Sequence, residues 1–111
     1  MSTEDDVRRI AADLPEVTER PSHGTAAFYV AGTIFARLHE LPGVLVCWRR
    51  GLEEREELLA ADPDAFFTTD HYRGHPSVLV RLERVPPDEL AELLAEAWEA
   101  RAPRRLREGP R

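Results

Sequence analysis

The 111-residue sequence has a single cysteine, one methionine and no lysine. One cysteine excludes an intramolecular disulfide. Cys47 stands inside the apolar run Val44-Leu45-Val46-Cys47-Trp48, where a thiol packs more readily than it reacts. No segment approaches the roughly 18–20 apolar residues of a membrane-spanning helix. The opening residues Met1-Ser2-Thr3-Glu4-Asp5-Asp6 are acidic and lead into no apolar stretch, so no secretory signal is read and a cytoplasmic location is expected. The six glycines are scattered singly, which excludes a glycine-rich phosphate loop. No internal repeat or low-complexity stretch interrupts the chain.

What is present suffices for one domain. A chain this long buries about two-thirds of its unfolded surface, and 42% hydrophobic residues against 32% charged supply a core without cross-links. All fifteen basic residues are arginine and alanine is frequent, a usage that points to a GC-rich bacterial genome. The net charge of −6 is uneven. Arg101, Arg104, Arg105, Arg107 and Arg111 against Glu108 make the last eleven residues +4 and leave −10 for the first hundred, an acidic body with a basic end.

Thr3 can cap a first helix with Asp6 at the capping-box position, placing Val7, Ile10, Ala11 and Leu14 on one face until Pro15. Residues 16–25 read as an ordered loop. Residues 26–30 and 33–38 flank Ala31-Gly32 as a hairpin. A two-residue turn puts Phe28, Val30 and Phe35 on one face and Tyr29, Ile34 and Leu38 on the other, so either both faces are partly covered or the register differs. Leu41-Pro42-Gly43 turns into a strand at 44–48, and Leu52, Arg55, Leu58 and Leu59 mark a short helix closed by Asp62-Pro63. Phe66-Phe67-Thr68 begins another extended segment. A polar aromatic loop, Thr69-Asp70-His71-Tyr72-Arg73-Gly74-His75-Pro76, precedes a strand with Val78, Val80 and Leu82. Pro86-Pro87 opens a last helix whose Leu90, Leu93, Leu94, Ala97 and Trp98 form a buried stripe, with Pro103 its stop and a frayed end beyond. Short strand connections demand an antiparallel or mostly antiparallel sheet, so an α+β two-layer sandwich is expected: one domain over residues 1–103 and a basic tail over 104–111.

Several strings in this order resemble the MmcQ/YjbR family of small bacterial proteins. They are Leu14-Pro15-Glu16-Val17-Thr18-Glu19, Ser22-His23-Gly24-Thr25 before Phe28-Tyr29-Val30, Gly32-Thr33-Ile34-Phe35-Ala36, Asp62-Pro63 through Phe66-Phe67, His71-Tyr72-Arg73-Gly74-His75-Pro76 and the final helix. The resemblance spans about residues 4–103. It implies a CyaY-like α+β fold and DNA binding, with no agreed catalytic residues. Thr33 stands where many relatives carry lysine, so any contribution of that lysine to an anionic ligand is absent.

Among candidate sites, His71 and His75 have metal-ligand spacing, but Gly74 and Pro76 make the segment a loop, and no companion ligand pair supports a metal. Ser22 beside His23 lacks an orienting third group. Glu4, Asp5, Asp6 and Asp13 read as a solvated helix face. No catalytic residue and no cofactor is expected. The reading is a non-enzymatic DNA-binding module using Arg20, His23, His71, Tyr72, Arg73, His75, Arg104 and Arg105, binding weakly and salt-sensitively because the body is acidic. The alternative is a small-ligand or protein-interaction domain with an anion-accepting pocket between the His23 and His71 loops.

Overall fold

The computed structural model describes residues 1–108, so Arg111 of the basic end lies outside the described residues. Thr3 caps α1 (Glu4–Ala12): its Oγ1 accepts from the Asp6 amide at 3.2 Å while Asp6 Oδ2 accepts from the Thr3 amide at 2.9 Å. That backbone bond, helped by Arg9 at 3.1 Å, holds the Asp6 carboxyl below its usual range. Val7 and Ala11 are buried, with Ile10 and Leu14 against the same core.

Segment 16–25, expected as a loop, contains a strand. β1 (Val17–Ser22) pairs antiparallel with β2 (Thr25–Val30) across a two-residue turn at His23 and Gly24, both at positive φ (54° and 84°). β1 is an outer strand with mostly exposed side chains, so it carries no apolar alternation, and Pro21 is tolerated there for the same reason. β2 continues through Ala31-Gly32 (φ 47° and 83°) into β3 (Thr33–Leu38), as expected. The register shifts between Phe28 and Tyr29, so Phe28 faces Ala36 and Tyr29 faces Ile34, leaving Phe35 as a bulge residue. One extra residue reverses the phase beyond it. Leu38 therefore joins Phe28, Val30 and Phe35 in the main core, which corrects its expected place beside Tyr29 and Ile34.

β4 (Val44–Trp48), α2 (Leu52–Ala61), β5 (Phe66–Phe67), β6 (Ser77–Arg81) and α3 (Pro87–Arg101) follow, with 3₁₀ turns at Asp70–Tyr72 and Leu82–Arg84. The six strands form one antiparallel sheet, ordered β1-β2-β3-β4-β6-β5. α3 buries the stripe read from its sequence, Leu90, Leu93, Leu94, Ala97 and Trp98, and the Trp98 indole donates to Pro15 O at 2.9 Å. Leu52, by contrast, is exposed, while Arg55 is the buried residue of α2. Past Pro103 the chain is not frayed within the described residues. α4 (Arg104–Arg107) is a single turn whose Leu106 packs against the core and whose Arg105 holds Glu16 at 2.7 and 3.0 Å.

The helices seal one sheet face over Phe28, Phe35, Leu45, Cys47, Val78 and Val80. The other face follows from register: Arg20, Ala27, Arg37, Val46, Leu79 and Phe67 align across all six strands. There a smaller cluster of Val44, Val46, Leu79 and Tyr72 is covered by the loop around the 70–72 turn.

Candidate functional site

The 69–76 segment owes its shape to its own backbone. Tyr72 N donates to Thr69 O at 2.9 Å, His75 N to Tyr72 O at 3.0 Å and Ser77 N to His75 O at 2.8 Å, with Gly74 at φ 74°. This folding turns Tyr72 inward, 6% exposed, onto the second cluster. Its hydroxyl accepts from Arg37 Nη2 at 2.8 Å, and Arg37 Nη1 donates to Thr25 Oγ1 (3.1 Å), Leu38 O (3.3 Å) and Glu40 Oε1 (2.6 Å). A buried guanidinium is stable only when so many donors are satisfied. Here that requirement ties the His23 turn, through Thr25, to the Tyr72 loop. The Arg37 bond draws the Glu40 carboxyl below its usual range.

His75 sits at the centre of a ring ladder. Its imidazole meets the Trp48 ring edge-on at 5.1 Å and Tyr72 at 5.6 Å, while His71 meets Tyr72 at 5.0 Å. His75 Nδ1 lies 2.8 Å from Ser77 Oγ. Burial lowers the His75 pKa, and the positive fields of Arg101, Arg55 and His71 lower it further.

Beyond the loop, the same face carries arginines laid over aromatic rings. Arg20 stands 4.2 Å above Tyr29. Tyr29 pairs across strands with Ile34, whose carbonyl accepts from Arg101 Nε at 2.9 Å, and that guanidinium lies 5.7 Å from the Trp48 ring. Arg81 lies 4.1 Å over Phe67. Nine other arginines form ion pairs among the described residues. Arg20, Arg81 and Arg101, like the exposed Arg84 and Arg107, have no carboxylate within ion-pair distance there, and these three alone lie against rings. Arg20 and Tyr29 thus connect through the Ile34 backbone to Arg101, which reaches round from the end of α3 to Trp48 and so to His75, a track of contacts bearing two guanidiniums without a carboxylate partner on a body of net charge −6.

The residues expected from sequence divide accordingly. Arg20 and His75 lie on this track, with exposed His71 beside it through Tyr72; Tyr72 is a buried support rather than a free ring. His23 is the exposed tip of the β1–β2 hairpin. Arg73 is exposed and holds Asp70 at 3.1 Å. Arg104 holds Glu108 at 2.7 Å and Arg105 holds Glu16, so both tail guanidiniums are engaged within the chain. Tyr29, Arg37, Trp48 and Arg101 were missed. The exposed phase of Tyr29 was legible in the hairpin, whereas nothing near Arg37 or Arg101 announces a partner 35 or 67 residues away. Among the described residues no group of three His, Cys, Asp or Glu is placed to hold a metal ion, and no helix is long and apolar enough to cross a membrane.

An α+β protein with one antiparallel sheet, helices on one face and arginine-capped rings on the other, is the class that fold and face define. The chain belongs to the YjbR family, whose profile matches residues 12–100. It is 28% identical to the uncharacterised proteins Mb2600 of Mycobacterium bovis and Rv2570 of Mycobacterium tuberculosis, over 96% of this chain and 93% of each relative. The crystal structure of Deinococcus radiodurans protein DR2400, a DUF419 domain, superposes with a TM-score of 0.76 at 28% identity, covering 89% of this chain and 78% of that one.

Proposed function

We propose that the chain is a DNA-binding module without catalytic activity, and that it takes up unpaired bases across the ring-bearing face. The observation that carries this reading is the pair of carboxylate-free guanidiniums, Arg20 over Tyr29 and Arg101 beside Trp48, joined through Ile34. A guanidinium held over a ring keeps N–H donors for a phosphate, and a neighbouring base can stack on the same platform. His71 and His75 extend the surface. The family resemblance points to the same ligand.

Two features favour binding over chemistry. Ser77, the hydroxyl beside His75, is fully buried, so its oxygen offers no approach to a substrate. Burial pushes the Cys47 thiol up to about 11, leaving no thiolate at neutral pH.

Fluorescence anisotropy with labelled oligo(dT) and a duplex of equal length, at low salt, tests the reading. Oligo(dT) should bind with a micromolar Kd and more tightly than the duplex. Arg20→Ala and Arg101→Gln should each weaken binding about tenfold, the cost of one disturbed stacking and phosphate contact. Arg84→Gln, at an exposed arginine on no ring, should have no effect. Absence of binding to either DNA by folded protein ends the reading; tighter duplex binding moves it to groove recognition. The alternative is a small anion between the His23 turn and the 71–75 loop. Arg37, which spans that gap, already donates to protein acceptors on both sides. Thermal stabilisation by phosphate, with no DNA binding, would favour that alternative.

A further inference from the structure

At the opposite end of β4 and β6 from Trp48, a cleft of about 460 Å³ opens between the 41–43 turn, the first residues of the chain and the end of β6. Its walls are tied by hydrogen bonds. Ser2 N donates to Leu82 O at 2.9 Å, Leu82 N to Gly43 O at 2.9 Å, Gly43 N to Glu4 Oε2 at 3.3 Å, and Ser2 Oγ to Val85 O at 2.8 Å. Volumes of roughly 300–1,000 Å³ are usual for small-molecule sites, and a cleft so braced does not need to form around its ligand.

The lining sets the chemistry. Val44 and Leu82 are buried, Phe67 is half-buried, and Leu41 is 51% exposed at the rim, a large apolar side chain left to water. Arg81 is the cation of the cleft. Its Nη1 is held by Pro63 O (3.4 Å) and Asp64 O (3.0 Å), and its Cζ lies 4.1 Å from the centre of the Phe67 ring. Nε and Nη2 have no protein acceptor, and no carboxylate lies within ion-pair distance among the described residues. A guanidinium fixed by carbonyls and a ring keeps its full charge and an open donor edge, the geometry that receives a carboxylate. The nearby acids limit how negative the ligand can be. Exposed Glu83 lines the cleft and Glu4 already accepts from Gly43, so a monoanion is favoured over a phosphate.

We propose that this cleft binds a small aromatic monocarboxylate, its ring against Leu41, Val44 and Phe67 and its carboxylate on Arg81. The site is independent of the DNA reading and lies across Tyr72 from the Trp48 track.

Amide NMR titration of the whole chain with benzoate tests it, with benzamide as the neutral isostere and inorganic phosphate as the anion lacking a ring. Benzoate should produce saturable shifts at Gly43, Val44, Leu82 and Glu83, with benzamide at least about tenfold weaker, since tenfold corresponds to losing only about 1.4 kcal/mol of a charge-assisted contact. Arg81→Gln should erase the preference for benzoate. Leu41→Glu, a charge added at an exposed rim position, should weaken benzoate while leaving the melting temperature unchanged, and it supports or overturns the proposal even if Arg81→Gln fails to fold. Equal binding of benzamide and benzoate, phosphate binding more tightly than benzoate, or shifts absent from these four amides overturns it.

Discussion

At the residue scale, the side chains that organise the face are those whose polar atoms had to be satisfied on burial. Arg37 is legible in the sequence only as one arginine among fifteen, yet it holds the β1–β2 turn, Glu40 and Tyr72 together. Tyr72 reads as a surface aromatic because its neighbours are polar; the 3₁₀ turn rotates it inward, which no local composition records. His75 carries a consequence for stability. Burial, then Arg101, Arg55 and His71, lowers its folded pKa below the ordinary 6.5 of the unfolded chain. Between those two values the unfolded state binds more protons, so stability rises with pH through this window. The contribution is complete above about pH 6.5 and is lost as the pH falls toward the lowered folded value. Urea midpoints measured from pH 7.5 down to pH 5.5 should therefore decline in the natural chain and decline less in His75→Gln. Equal slopes in the two proteins would assign the pH dependence to other groups.

At the element scale, legibility followed burial. α3 shows its buried stripe because every inward position is apolar, and α1 shows its cap because the box is local. β1 could not be read: Val-Thr-Glu-Arg-Pro-Ser is an edge strand specified by its hairpin turn and its partner, not by a hydrophobic face. The Phe35 bulge is invisible for a related reason, since alternation in the sequence presumes an unbroken register. Both hairpins place a residue with a Cβ first in a positive-φ turn, His23 at 54° and Ala31 at 47°. Alanine there sits in a conformation that costs roughly 1–2 kcal/mol, whereas asparagine tolerates it through local hydrogen bonding and forms the preferred Asn-Gly turn. Ala31→Asn should raise stability by about 0.5–1 kcal/mol, a few degrees in Tm. Calorimetry showing destabilisation would mean that the turn is not held as described. His23→Asn keeps the first turn by the same chemistry and so separates the turn from any imidazole contribution to binding.

At the scale of the whole molecule, the distribution of charge decides which arginines can serve DNA. The basic end looks in sequence like the strongest electrostatic feature, yet Arg104 and Arg105 hold Glu108 and Glu16; among the described arginines with no carboxylate within ion-pair distance, Arg20 lies over Tyr29 and Arg101 beside Trp48, whereas Arg84 and Arg107 lie over no ring. Each phosphate neutralised on a single strand changes log K by about −0.7 per tenfold rise in salt, so contacts from Arg20 and Arg101 alone give a slope near −1.4. Repulsion from a body of net charge −6 is screened as salt rises, which makes the observed slope shallower than that limit. Replacing Arg104 and Arg105 together by alanine should leave the slope for oligo(dT) within experimental error, because in this reading those side chains stay on Glu108 and Glu16 and contact no phosphate, so they release no counterion from the strand. The Arg20→Ala and Arg101→Gln double variant should bring it close to zero. If the tail variant instead flattens the slope by about 1.4, phosphate outcompetes Glu16 and Glu108 for the tail, and the electrostatic share of binding belongs to α4 rather than to the sheet.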